Sequence, residues 1–155
     1  FSIIKKIIFS KEINNFSLID FGCGYSRSFF YLRNHFKLNY IGIDINKKII
    51  NFIKNLKYKN TKFIHCDLKI KKNRNEVFRY ISQKKLNNKE IIIFFSDSFD
   101  TPSLKKILKN FKKFKKLYVV LVNVKNYNIL EKDFKIIDKY FFKNRNRNIL
   151  LLKNG

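Results

Sequence analysis

The chain has 155 residues, 45% of them hydrophobic, which is enough to bury a core within one domain and excludes a disordered polyelectrolyte. Its formal net charge of +24 points toward polyanions, yet 29 Lys, 23 Ile, 20 Asn and 18 Phe against no Ala, no Met and one Pro is also the usage of A+T-rich codons, which raises Lys over Arg without selection for phosphate binding. No apolar run approaches the roughly 18 residues of a membrane span, and Cys23, Cys66, His35 and His65 match no zinc spacing, so a cytoplasmic protein without a resident metal is expected.

Residues 1–16 read as a helical lead-in, too short and too interrupted by Lys for a signal-peptide core. A chain that begins at Phe and contains no Met could also continue upstream. From there short apolar runs alternate with longer mixed stretches, the pattern of repeated βα units. The first strand is predicted over 16–21, ending at Gly22, followed by a helix over 26–36 with Phe29, Phe30, Leu32 and Phe36 on one face. A second strand over 39–44 leads to a helix carrying Ile45, Ile49, Ile50, Phe52 and Ile53 near the 3.6-residue period. The third strand covers 61–66, and a basic loop over 69–74 leads into a helix over 76–85. Strand four, centred on 91–95, is a continuous apolar run suited to burial on both faces. Thr101 is the expected N-cap of the next helix, with Pro102 at its first position. A fifth strand over 117–122, room for only a short helix over 123–132, and two runs over 134–142 and 148–152 complete the chain. The polar stretch between the last two suits an antiparallel pair. The expected fold is therefore a single α/β domain over 1–155: a doubly wound, mostly parallel Rossmann-like sheet of about seven strands, with helices on both faces and a C-terminal antiparallel strand pair.

The chemistry concentrates at the strand ends. Gly22 and Gly24 remove Cβ atoms where a ligand must approach the backbone, and a helix N-terminus follows. Asp20 precedes the glycines; Asp44 and Asp67 end strands two and three. In a doubly wound sheet ligands bind beyond the carboxyl ends of the strands, where the strand order reverses, so three successive strands deliver an acid to one edge. Asp44 is placed to accept two hydroxyl hydrogen bonds from a ribose, Asp20 to attract a cationic amino group, and Asp67 to accept from an exocyclic amine. Any one of them alone could equally be a loop residue or a helix cap.

The turn Asp20-x-Gly22-x-Gly24-x-Ser26 and the strand ends Ile41-Gly42-Ile43-Asp44 and Cys66-Asp67-Leu68 resemble the first three motifs of the class I S-adenosylmethionine-dependent methyltransferases. The resemblance runs from about residue 17 to 152 and includes the closing antiparallel pair. It implies S-adenosyl-L-methionine as cofactor, with Gly22 and Gly24 passing its methionine part and Asp20 supporting that loop or the amino group. It further implies Asp44 on the ribose hydroxyls, Ile45 against the adenine face, Asp67 with the backbone around Leu68 at the adenine amine, and Ser96 or Asp97 facing the sulfonium and substrate. Asp97 is the candidate general base. A nicotinamide or flavin enzyme would want G-x-G-x-x-G/A, and Arg27 stands at the third position.

The acceptor is less legible. The segment after strand four lacks the Asn/Asp-Pro-Pro-aromatic tetrapeptide associated with family members that methylate exocyclic amino groups of bases or glutamine side chains, and no Cys follows strands four or five for a covalent route to pyrimidine C5. A small metabolite, sugar or lipid-linked intermediate is the first expectation. An RNA methyltransferase, favoured by basicity and by the loops over 69–74 and 143–147, and a non-catalytic Rossmann-like subunit of a complex are the alternatives. Phe99 and Tyr127 are expected to pack in the core or to fall at the surface by chance rather than to touch substrate.

Overall fold

Alternation of side chains in the apolar runs builds a two-faced sheet. In the computed structural model, which describes residues 4–5, 8–9, 15–84, 90–96, 99–125, 127–142 and 147–154, the strands are β1 (Phe16–Phe21), β2 (Leu38–Asp44), β3 (Thr61–His65), β4 (Glu90–Ser96), β5 (Leu117–Val122), β6 (Phe134–Phe142) and β7 (Arg147–Asn154). They form one sheet in the order β3-β2-β1-β4-β5-β7-β6. The first five run parallel, and β7 lies antiparallel between β5 and β6. This is the expected doubly wound arrangement with its closing antiparallel pair. The order reverses between β1 and β4, so the crevice for a ligand opens beyond the carboxyl ends of those two strands.

Residues two apart share a face. Ile19, Phe21, Ile41, Ile43, Ile91, Ile93, Phe95, Val119 and Leu121 belong to one cluster, which packs on the helices α3 (Lys71–Gln83) and α4 (Thr101–Leu108). Phe16, Leu18, Tyr40, Phe63, Ile92, Phe94 and Val120 belong to the other, beneath α1 (Arg27–Leu32) and α2 (Lys47–Asn55). All six residues of β1 are buried, as a central strand covered on both faces requires. Of the expected lead-in over 1–16, Ile4 and Ile8 are buried against this second cluster; most of the rest lies outside the described residues. Among the described residues no helix is long and apolar enough to cross a membrane.

Three boundaries differ from the sequence expectation. The helix placed over 26–36 stops at Leu32, because the Leu32 carbonyl accepts from both His35 (2.9 Å) and Phe36 (3.0 Å) and the chain tightens into a turn. The basic stretch expected as a loop forms the first turn of α3. Asp67 accepts the Lys69 amide at 2.9 Å and the Arg74 guanidinium donates to the Leu68 carbonyl at 2.8 Å, which folds the chain into the helix at Lys71 rather than Glu76. Asp100, not Thr101, caps α4: its carboxylate takes the Ser103 amide at 2.8 Å, while the Thr101 hydroxyl donates to the Lys125 carbonyl at 2.5 Å and ties the helix to the loop after β5.

Candidate functional site

The chain leaves β1 through Gly22 and Gly24, with φ of 76° and 49°, a left-handed backbone that glycine adopts without Cβ strain. The Ile43 carbonyl accepts from both the Gly22 amide (2.8 Å) and the Cys23 amide (3.1 Å), so the end of β2 fixes the turn after β1. Asp44 completes the clamp. One carboxylate oxygen accepts from the Gly24 amide and the other from the Asn46 amide, both at 2.8 Å. Asn46 in turn caps α2 by accepting the Ile49 amide at 3.2 Å. A carboxylate offers about four acceptor positions, so two remain for hydroxyl donors from a ligand. A Cβ built on Gly24 would meet nothing within 4 Å, and the turn therefore faces open space on the side where a ligand would lie.

Gly42, by contrast, is required by packing. A Cβ there would sit 2.8 Å from Tyr40 Cε1 and 3.0 Å from both Cys23 Sγ and Phe63 Cδ1. Gly42→Ala is expected to lower stability by about 1–3 kcal/mol as the ring, the thiol and the glycine turn shift apart, which a denaturant titration of the two proteins measures.

Asp20 is 3% exposed, and one of its oxygens accepts both the Ser28 hydroxyl and, at 2.8 Å, the Tyr40 hydroxyl. Burial pushes its carboxyl up to about 6 even though those two donors favour the anion; the negative charge of Asp44 adds to the rise. Neither donor stands out by sequence motif. The signal was periodicity: Asp20 is two residues on from Leu18 and shares its face, so its side chain turns toward the helix-covered side, where a carboxylate needs donors. Tyr40 lies on the adjacent strand and Ser28 is the second residue of α1. The two thiols are held protonated, chiefly by burial, Cys23 at about 12 and Cys66 at about 11, so neither is a thiolate nucleophile at neutral pH.

The remaining candidates line the same edge. The Cys66 amide donates to the Asp44 carbonyl at 2.9 Å, which brings the end of β3, with Asp67 and the buried Leu68, alongside that of β2. Ile45 is 62% exposed, and its carbonyl meets His65 Nε2 at 3.0 Å. Ser96 ends β4, half-buried, across the switch point from the glycine turn. Asp97 lies outside the described residues. Phe99 packs edge-on against Phe95, centroids 5.5 Å apart, and Tyr127 packs on the same core cluster, so both do the packing work expected of them. Among the described residues no group of His, Cys, Asp and Glu could hold a metal ion.

No protein-family model and no curated protein matches the chain. Solved structures do. A TehB-like SAM-dependent methyltransferase from Corynebacterium glutamicum superposes with a TM-score of 0.65 at 11% identity, over 97% of this chain and 86% of that one. A putative methyltransferase, yhhF, from Escherichia coli gives 0.69 at 10% identity, over 99% and 83%. TrmK from M. capricolum, in complex with S-adenosyl-homocysteine, gives 0.62 at 16% identity, over 97% and 68%. At these identities the likeness establishes the fold: the chain has the Rossmann-like architecture of the class I methyltransferases.

Proposed function

We propose that the chain is an S-adenosylmethionine-dependent methyltransferase whose cofactor lies across the carboxyl ends of β1, β2 and β3. The observation that carries this is the Asp44 clamp. The carboxylate that holds the glycine turn in its left-handed course keeps acceptor capacity for two hydroxyls beside it, over a Gly24 that faces open space. The solved structures of the same fold with SAM or S-adenosyl-homocysteine bound support the choice of cofactor.

In this assignment Gly22 and Gly24 let the methionine part approach the backbone, and Asp44 holds the ribose. Ile45 covers one adenine face, and Asp67 with the backbone at Leu68 meets the adenine amine. Asp20, too enclosed to touch a ligand, fixes α1 to β1 and β2 through Ser28 and Tyr40 and lends negative charge beneath the turn. The cofactor, when bound, supplies a methyl group on an already activated sulfonium. What the protein adds is placement: Ser96, at the end of β4, stands where an acceptor would be oriented, and the methyltransferase resemblance makes the next residue in the chain, Asp97, the candidate to take a proton. A dedicated base is not obligatory for such a transfer.

Thermal melting of the purified chain with S-adenosylmethionine and S-adenosyl-homocysteine tests this. At 100 times the dissociation constant a ligand that binds only the native state adds about 2.7 kcal/mol, on the order of 5–10 °C for a chain of this size. A folded protein that shows no rise with either ligand at millimolar concentration sinks the assignment.

A further inference from the structure

The helices over the glycine turn carry a surface that the cofactor site does not explain. Tyr25, between Gly24 and Ser26, is 59% exposed; Phe52, on α2, is 57% exposed. Their rings meet edge to face with centroids 6.1 Å apart, so two unrelated elements present one aromatic ledge to solvent beside the cofactor turn. Lys48 lies one helical turn before Phe52 on the same face of α2, and Arg27 follows Tyr25 at the start of α1; both are exposed. Further along the same side the Arg33 guanidinium lies over the Tyr58 ring, 4.5 Å from its centroid.

The charge on this side is almost all of one sign. Residues 21–66 contain nine Lys or Arg and one acid, Asp44, whose carboxylate is engaged by the Gly24 and Asn46 amides. Residues 67–138 contain eighteen Lys or Arg and eight acids. The segment that includes α1, α2 and their loops therefore carries almost unopposed positive charge, as do residues 139–155, which hold five Lys or Arg and no acid. Cations interleaved with exposed rings suit a strand whose phosphates need neutralising and whose unstacked bases need a flat apolar partner.

We propose that the face formed by α1 and α2 binds single-stranded RNA, with bases stacked on Tyr25 and Phe52 and phosphates met by Arg27 and Lys48. RNA, rather than DNA, is the nucleic acid that routinely exposes unpaired bases in loops and ends. Because Tyr25 is part of the glycine turn, a strand held there runs past the cofactor edge. As the methyl acceptor it rests on the cofactor assignment above, while as a binding surface it can be tested alone.

The test measures fluorescence anisotropy of a labelled 12-nucleotide mixed-sequence RNA from 50 to 300 mM salt, with the same sequence as duplex RNA, as single-stranded DNA, and with phosphatidylglycerol/phosphatidylcholine vesicles. Wild type, Phe52→Ala and Tyr25→Ala/Phe52→Ala are compared, each checked for folding by melting with and without S-adenosyl-homocysteine. The expected result is preference for single-stranded RNA persisting at 150 mM salt and weakened about tenfold or more in the double variant, with duplex RNA affinity unchanged. Equal binding of single and duplex strands, indifferent to the aromatic pair, would make this nonspecific attraction to a basic protein and overturn the proposal. Tighter binding of DNA, or vesicle binding that depends on the pair, overturns it in favour of that occupant. A homocysteine-ligand shift without aromatic-dependent RNA binding removes this proposal alone; the converse removes the cofactor assignment and leaves the RNA surface standing.

Discussion

Asp44→Asn is expected to fold and to lose nearly all of the melting rise that S-adenosyl-homocysteine gives the wild type. The carboxylate has two tasks, and the substitution damages both. Within the protein it accepts the Gly24 and Asn46 amides at 2.8 Å each. An amide has one oxygen, so one backbone N–H must then face an NH₂ group, and the turn loosens. Hydrogen bonds to a charged acceptor contribute about 1.5–3 kcal/mol each. With Asp44 only partly buried, the loss in the ligand-free protein belongs at the lower end of that range, a few degrees in melting temperature. Toward the ligand, weakening the acceptor of two ribose hydroxyls lowers affinity on the order of 100-fold. At a concentration that saturates wild type 100-fold, the variant would then sit near its dissociation constant and gain only about 0.4 kcal/mol. The two effects separate in one experiment, because the first appears without ligand and the second only in the ligand-induced difference. A variant that melts lower but keeps the full ligand-induced rise would show Asp44 to be a loop clamp and nothing more.

That double duty marks the limit of what the residues disclosed before folding. The strand positions and the closing pair followed from alternation and run length, because a strand buried on both faces narrows the choice of residue type, whereas the strand order and the switch point at β1 and β4 came only with the fold. The acids were legible by position along the chain; what each carboxylate touches was not. Asp44 and Asp20 stand similarly at strand ends, yet one lies half open and clamps two amides while the other is sealed beneath Ser28 and Tyr40. The difference comes from which way each side chain points and from what the neighbouring strand offers, a register property absent from a linear pattern. The start of α3 was missed for a related reason. No side-chain cap marks it at Ile70, and the geometry comes from Asp67 and Arg74 bonding to the backbone between them. The Tyr25–Phe52 ledge pairs a ring of the glycine turn with one on α2, and in a chain with 17% aromatics only the fold distinguishes those two from the many that pack inside.

Asp20→Asn is expected to melt higher than wild type at pH 7.5, by several degrees, with the gap narrowing as the pH falls below about 6 and closing near pH 4. Burial raises the carboxyl from the ordinary 3.8 to about 6 in the folded chain. Between those values the native state holds a proton that the unfolded chain has released, so stability falls as the pH climbs through that window. The contribution of the protonated carboxyl is fully present below about pH 4 and is lost as the pH rises through about 6. Two pKa units correspond to about 3 kcal/mol, an upper figure, since an Asn must also re-form the bonds from Ser28 and Tyr40 with one oxygen and offer its NH₂ to a hydroxyl. Taking the difference between variant and wild type removes the pH dependence of the many surface lysines, which the two proteins share. Parallel melting curves against pH would show that the buried carboxylate is not strained. The functional half of the prediction runs the other way: the more stable variant should bind S-adenosyl-homocysteine more weakly. An anion kept beneath the glycine turn at a stability cost is explained if its field favours the ligand's cationic amino group, and a neutral Asn has no such field. If the variant gains stability and keeps its affinity, Asp20 serves only to join α1, β1 and β2, and the cost of its charge has no functional return.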